Sequence, residues 1–171
     1  MLNPDILKDD EAKNILKKIY SSAQKRSLII NDGYGDWEIS EVFPQDCDKS
    51  LLLMGTKKKE ILLKLLEILI ECRDGIETEE YYFLQEEYRK GEELVSLKLN
   101  TLNLKQIVSY YEKMSHLNFI LISSDGKFTL KLIHEGIGLL CSNDRILEKI
   151  RRSQLREFIE EPRWKESQKK A

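Results

Sequence analysis

Residues 100–140 have the sequence NTLNLKQIVSYYEKMSHLNFILISSDGKFTLKLIHEGIGLL, whose local signals predict a helix followed directly by a β-hairpin. Asn103 is a favourable N-cap, and Gln106 stands three residues later, as in a capping box. Apolar side chains then recur on one helical face: Leu104, Ile107, Val108, Tyr111 and Met114. This spacing is typical of an amphipathic helix.

The hairpin is predicted from two short runs of β-forming residues. Phe119–Ile122 and Phe128–Ile133 flank the dipeptide Asp125-Gly126, which is a strong turn signal. The segment that follows, His134–Cys141, is expected to form a short helix.

This order of elements resembles the recognition helix and wing of a winged helix-turn-helix domain, and transcription regulators of the MarR and PadR type are the nearest comparison. Phe128, Leu132 and Gly136 match the wing pattern of that family, whereas Ile133 stands where threonine is usual. The resemblance extends over residues 92–140. It implies a mainly α (α+β) fold, in which a winged helix-turn-helix core with a two-stranded wing hairpin carries N- and C-terminal helical extensions.

The rest of the chain supplies further predicted elements. Asn3-Pro4-Asp5 resembles a helix start, and that helix should extend to Tyr20. Residues 27–43 predict two short strands joined by a glycine-containing loop. Helices are expected over residues 78–88 and 92–99, the latter as the second helix of the helix-turn-helix. The sequence is therefore divided into an N-terminal helix and hairpin (1–50), a winged-helix domain (51–143) and a C-terminal helix with a basic tail (144–171).

Two further helices are candidates for a dimer interface. The helix predicted from Lys57 to Arg73 is apolar around most of its circumference between Ile61 and Ile70, so it must be buried either in the core or against a second copy. The terminal helix places apolar residues from Ile146 to Ile159 on one face. A homodimer through the Ile61–Ile70 helix, the Ile146–Ile159 helix or both is predicted.

Composition limits the class of protein. The 171 residues are 41% hydrophobic and 34% charged, which favours a globular, helix-rich chain with one main core. No apolar run approaches the roughly 18 residues that a membrane helix needs, and the N-terminus lacks the pattern of a signal peptide. We expect an intracellular protein without a membrane segment. Its three cysteines are isolated, and Cys72 and Cys141 are predicted to be buried thiols.

No known catalytic motif is present. The two histidines, His116 and His134, have no HExxH motif, cysteine pair or aspartate at metal-ligand spacing, and no Walker A, GxGxxG or GxSxG pattern occurs. We therefore expect a protein that is not an enzyme and has neither a metal nor a cofactor.

Two functions remain. The net charge is −2, yet residues 104–171 carry 13 Lys and Arg against 9 Asp and Glu, a net charge of +4. The first hypothesis is a dimeric regulator that binds double-stranded DNA. Its candidate DNA-binding residues are Lys105, Gln106, Ser109, Tyr110, Lys113 and Lys127. The alternative is a winged-helix protein-protein interaction module, an adaptor or complex subunit, that does not bind nucleic acid.

Overall fold

The computed structural model describes residues 4–21, 25–31, 33–43, 49–72, 80–87 and 94–165. Within these ranges the chain forms eleven strands and four α-helices. The strands are β1 (Asp5–Ile6), β2 (Lys25–Asn31), β3 (Asp36–Val42), β4 (Ser50–Met54), β5 (Glu80–Gln85), β6 (Ser96–Asn100), β7 (Phe119–Ser123), β8 (Thr129–Ile133), β9 (Ile137–Cys141), β10 (Ile159–Glu160) and β11 (Arg163–Trp164). The helices are α1 (Asp9–Ile19), α2 (Lys59–Cys72), α3 (Ile107–Met114) and α4 (Asp144–Arg151), and 3₁₀ turns occupy Leu104–Gln106 and Gln154–Phe158.

Eight of the strands form one antiparallel sheet, which we call the large sheet. Its order is β1-β6-β5-β7-β8-β9-β4-β10. The short strands β1 and β10 lie at its two edges, so residues near both ends of the described chain pair with its middle. The other three strands form a small antiparallel sheet in the order β11-β2-β3.

Three layers result, because both faces of the large sheet are covered. One face packs against α2, α3, α4 and the two 3₁₀ turns in the largest hydrophobic cluster of the described chain. On the other face, α1 covers Leu84 of β5 and Ile120 of β7. The small sheet covers residues of β4, β8 and β9 beside it, among them Leu52 and Leu139.

Helix α2 is the centre of the helical layer. Seven of its residues are buried: Ile61, Leu62, Leu65, Leu66, Ile68, Leu69 and Cys72. The predicted helix is therefore confirmed, and the large sheet, α3 and α4 cover it within one chain. Four apolar residues of the predicted terminal interface, Ile146, Leu147, Ile150 and Leu155, are also buried within the chain, and Phe158 and Ile159 pack partly against the same core. Homodimerisation stays a prediction.

The predicted fold class is wrong. The chain is sheet-rich rather than mainly α, and no winged helix-turn-helix is present among the described residues. The described parts of two segments predicted to be helices, 78–88 and 92–99, are the strands β5 and β6, and the helix predicted over His134–Cys141 is β9. Helix α1 begins at Asp9, after β1, rather than at Asn3-Pro4.

For β5 and β9, the physical cause of the error is the burial of the large sheet on both faces. A strand that is buried on both sides has no alternation of apolar and polar residues, so hydrophobic periodicity does not distinguish it from a buried helix. In β5, Tyr81 and Phe83 belong to the helical-layer core while Leu84 belongs to the cluster under α1. The apolar spacing from Tyr81 to Leu84 resembles one turn of helix only by coincidence.

The terminal helix is also shorter than predicted. Helix α4 ends at Arg151, a 3₁₀ turn follows, and Ile159 is already in β10. Ser153 provides the break: its hydroxyl donates to the Ile150 carbonyl at 2.7 Å and accepts from the Leu155 N–H at 3.0 Å. These local bonds replace the helical ones.

Several predicted elements are confirmed. The strands predicted within residues 27–43 are β2 and β3, which pair antiparallel. The predicted hairpin is β7 and β8, and Gly126 occupies its turn with a φ of +73°. Cys72 and Cys141 are buried, as predicted, whereas Cys47 lies outside the described residues. The described helices include none that is both long and apolar enough to cross a membrane.

Leu66 tests the packing of α2. Leu66→Ala should lower the free energy of unfolding by about 2–5 kcal/mol, because the side chain is fully buried between the helix and the large sheet. Leu63→Ala, on the partly buried side of the same helix, should cost clearly less. Urea unfolding of both variants measures the difference, and equal losses would show that α2 is not packed as described.

Candidate functional site

Helix α1 and the small sheet cover the face of the large sheet that is opposite the helical layer, and they meet above β8. Lys131 in β8 is opposite Ile120 of β7 on one side and Leu139 of β9 on the other. Ile120 is covered by α1, and Leu139 is covered by the small sheet. Lys131 therefore lies at the junction between the two covering structures, in the middle of the large sheet.

The alternation of β8 directs Lys131 to this junction. Its neighbours Leu130 and Leu132 belong to the core on the helical side, so the Lys131 side chain emerges on the opposite face. Only 3% of that side chain is exposed. A buried ammonium group is unfavourable unless acceptors and negative charge surround it.

Two glutamates provide that negative charge. Lys131 Nζ lies 2.9 and 3.2 Å from the two carboxylate oxygens of Glu86, which follows β5. It lies 3.3 Å from Oε2 of Glu41 in β3. The Val42 carbonyl accepts a hydrogen bond from the same ammonium group at 3.1 Å. One lysine thus joins the large sheet to the edge of the small sheet.

Further hydrogen bonds hold the glutamates in place. The Tyr20 hydroxyl, at the end of α1, donates to Glu86 Oε2 at 2.8 Å. Asn118 Nδ2 donates to Glu41 Oε1 at 3.1 Å. The Oδ1 of the same asparagine accepts from the His134 N–H at 2.8 Å, which fixes the amide orientation. The charged cluster therefore has defined positions before any ligand binds.

A cleft of about 510 Å³ opens over this cluster. Its walls and floor are formed by Leu16 of α1, Tyr20 just after that helix, Lys25 of β2, Glu41 and Val42 of β3, Glu86, Glu87, Asn118 and Lys131. This volume lies within the range of about 300–1,000 Å³ that is common for ligand sites. The cleft combines apolar side walls with a charged floor.

The lining of the cleft carries more negative than positive charge. Three carboxylates line the cleft, those of Glu41, Glu86 and Glu87, against the two ammonium groups of Lys25 and Lys131. Burial raises the pKa of Glu86, and the nearby Glu41 raises it further, whereas Lys131 and the Tyr20 hydroxyl act in the opposite direction. At the buried floor, the carboxylates of Glu41 and Glu86 exceed the ammonium group of Lys131 by one negative charge, which a proton on Glu86 or a cation in the cleft would neutralise.

The residues predicted to bind DNA lie elsewhere. Lys105, Gln106, Ser109, Tyr110 and Lys113 belong to the 3₁₀ turn and α3 of the helical layer, and Lys127 lies in the β7–β8 turn. Lys105 Nζ is 3.7 Å from Glu67 Oε1, and Tyr110 packs partly against the core. Ser109, Lys113 and Lys127 are exposed. None of the six lines the cleft.

Sequence reasoning missed the residues that do line it. Lys131 is a single lysine in the run Thr129–Ile133, and such a residue is ordinarily interpreted as the solvent-facing position of a hairpin strand. Its burial is the informative signal, and only the tertiary structure reveals it. Glu41 and Glu86 are far from Lys131 in the chain, so no spacing rule connects them.

The other candidate ligands remain isolated. His116 and His134 are exposed, and His134 Nδ1 lies 3.0 Å from Asn118 Oδ1. Among the described residues, no three His, Cys, Asp or Glu side chains are grouped so that they can hold a metal ion. Comparisons with protein-family models, with curated protein sequences and with solved structures found no match.

Replacing the buried lysine tests whether the cluster holds the layers together. Lys131→Met should lower the free energy of unfolding by about 3–5 kcal/mol at neutral pH, because it leaves Glu41 and Glu86 without their counter-charge. Lys64→Met is the control, since its ion pair with Glu67 at 3.9 Å is partly exposed and should contribute at most about 1 kcal/mol. Equal losses in urea unfolding would contradict a structural role for Lys131.

The raised pKa of Glu86 predicts a specific pH dependence of stability. The folded protein holds this proton to a higher pH than the unfolded chain, whose glutamate pKa is about 4.5. The contribution of Glu86 to folding is therefore most favourable below that value and declines as the pH rises through the folded pKa. The difference in unfolding free energy, wild type minus Glu86→Gln, should fall from pH 4.5 towards neutrality.

Urea unfolding across this pH range measures the effect. Glu87→Gln is the control, since Glu87 is exposed at the cleft rim and should show no such trend. A Glu86 difference that rises with pH would mean that Lys131 outweighs burial and that the pKa is lowered.

Proposed function

We propose that this protein is a protein-interaction module whose cleft receives a basic side chain of its partner. The observation that carries this proposal is the buried Lys131 held between Glu41 and Glu86 at the floor of an open cleft that has an excess of negative charge. A lysine or arginine of the partner would supply the balancing cation.

The shape of the cleft suits such a side chain. Leu16, Val42 and the Tyr20 ring form apolar walls, which favour the methylene stem of a lysine or arginine. The Glu41 and Glu86 side chains are 21% and 13% exposed, and both line the cleft. Charge-assisted hydrogen bonds to these groups are stronger than neutral ones.

The charge distribution supports a protein partner over DNA. Basic side chains of the helical layer are interleaved with acids: Lys105 and Lys64 lie near Glu67, Lys149 lies near Glu71, and Arg151 lies near Glu148 and Glu161. An interface with nucleic acid requires a continuous basic surface. The carboxylates of the cleft would repel phosphate, so the DNA-binding hypothesis has no support from this site.

Peptide binding tests the proposal. The probes are acetylated, amidated heptapeptide libraries with a fixed central lysine or arginine, and matched libraries with norleucine, citrulline or glutamate at that position. Isothermal titration should detect binding of the lysine or arginine libraries only. The double variant Glu41→Gln/Glu86→Gln should weaken that binding at least about tenfold, because charge-assisted bonds contribute about 1.5–3 kcal/mol.

Two controls complete the experiment. Glu71→Gln removes a carboxylate from the helical layer and should leave peptide affinity unchanged. Random duplex DNA should not bind at low salt, and binding that is lost in Lys105→Ala/Lys113→Ala/Lys127→Ala would instead favour the DNA hypothesis. Equal affinity for the lysine and norleucine libraries would refute the proposal.

A further inference from the structure

The hydrogen-bond register of the small sheet shows which backbone groups of β3 face outward. On the far side of β2, the Lys165 N–H donates to the Ser27 carbonyl at 2.9 Å. The N–H and C=O of one residue point to the same side of an antiparallel strand, and this side alternates along the chain. The backbone N–H and C=O groups of Ser27 therefore point to β11, and those of Arg26, Leu28 and Ile30 point to β3.

The three β3 residues opposite them direct their backbone N–H and C=O groups back to β2. These residues are Glu41, Ile39 and Trp37. Glu38 and Ser40 consequently direct their N–H and C=O groups to the opposite, outer edge. Val42 agrees with this alternation, because its carbonyl points away from β2 and accepts from Lys131 Nζ.

The outer edge of β3 has no strand partner within the described residues, where the small sheet has the order β11-β2-β3. An unpaired edge of this kind can accept an additional strand through its backbone groups. β3 has seven residues and so extends for about 20 Å at roughly 3.4 Å per residue. Such an edge is long enough to hold a short extended segment.

The edge ends at the cleft. Glu41 and Val42, the last residues of β3, line its wall, and Lys131 closes the edge at the Val42 carbonyl. Side chains of an added strand would alternate between solvent and the large sheet. Those facing the large sheet near the end of β3 would lie over Glu41 and Glu86. Charge complementarity therefore favours a segment with lysine or arginine at that position.

We propose that the outer edge of β3 binds an extended segment of the partner protein as an added β-strand, and that a basic side chain of this segment enters the cleft. This inference rests on the proposed function and specifies how the partner's backbone is held. The peptide backbone supplies affinity at Glu38 and Ser40, and the basic side chain supplies specificity.

A scan of backbone N-methylation in the tightest-binding lysine or arginine heptapeptide tests the added strand. N-methylation removes one N–H donor at a time. Substitution at alternate positions should weaken binding at least about tenfold, since it leaves a β3 carbonyl unpaired, while the intervening positions change little. Uniformly small effects would refute strand addition.

Ser40 provides the matching change in the protein. Ser40→Pro removes the outward N–H of β3 without removing a β2–β3 hydrogen bond, and proline is tolerated at such edges. Ser40→Ala is the control, because both variants lose the Ser27–Ser40 hydroxyl contact of 2.6 Å but only the proline loses the N–H. We expect at least about tenfold weaker peptide binding for Ser40→Pro and no more than about twofold for Ser40→Ala. If Ser40→Pro does not fold, the N-methylation scan decides alone.

The outcomes separate this inference from the proposed function. Binding that depends on the central basic residue, Glu41 and Glu86 but not on either backbone test would keep the interaction function and refute strand addition. No binding of any basic library would refute both. Nα-acetyl-lysine amide has a free side-chain amine but cannot form a strand. If it binds as tightly as the peptide, the cleft recognises the amine alone and strand addition is refuted. Concentration-dependent dimerisation that Ser40→Pro abolishes would assign the edge to a second copy and overturn the proposal.

Discussion

The structure depends on the large sheet being covered on both of its faces. Apolar burial is the main favourable contribution to folding, and β4, β5, β7, β8 and β9 bury apolar side chains on the helical side and on the opposite side alike. One helical layer covers the first face. The second face needs two separate structures, α1 and the small sheet, and these meet over β8.

The charged cluster of Lys131, Glu41 and Glu86 lies where α1 and the small sheet come together. Lys131 spans the junction by binding to Glu86 on one side and to Glu41 and the Val42 carbonyl on the other. The same bonds that connect the layers also place carboxylates at the floor of an open cleft. Stability and the proposed binding site therefore share one set of contacts, and a ligand cation would replace the proton that the raised pKa of Glu86 favours.

The cleft lies at the end of β3, which is the edge strand of the small sheet. The Glu41 side chain of β3 faces the large sheet and joins the charged cluster. The backbone groups of Glu38 and Ser40 face away from β2, because of the register in which the two strands pair. The helical layer, on the opposite side of the large sheet, has its basic residues interleaved with acids. This asymmetry is the reason why we place the interaction surface on the α1 and β3 side.

The sequence alone determined the elements whose signals are local. The apolar circumference of α2, the Asp125-Gly126 turn between β7 and β8, and the pair β2 and β3 were all predicted, because each depends on residues close together in the chain. It failed for β5 and β9, since a strand buried on both faces lacks the alternation that distinguishes it from a helix. It also failed for β6, although Leu97 and Leu99 of that strand alternate with the half-buried Lys98. The helix and hairpin from α3 to β8 resembled a winged helix, because that local order of elements does not depend on the large sheet around it. The site was decided only by tertiary structure: Glu41, Glu86 and Lys131 are separated by 45 residues at each step, and their attraction acts only after the layers have packed.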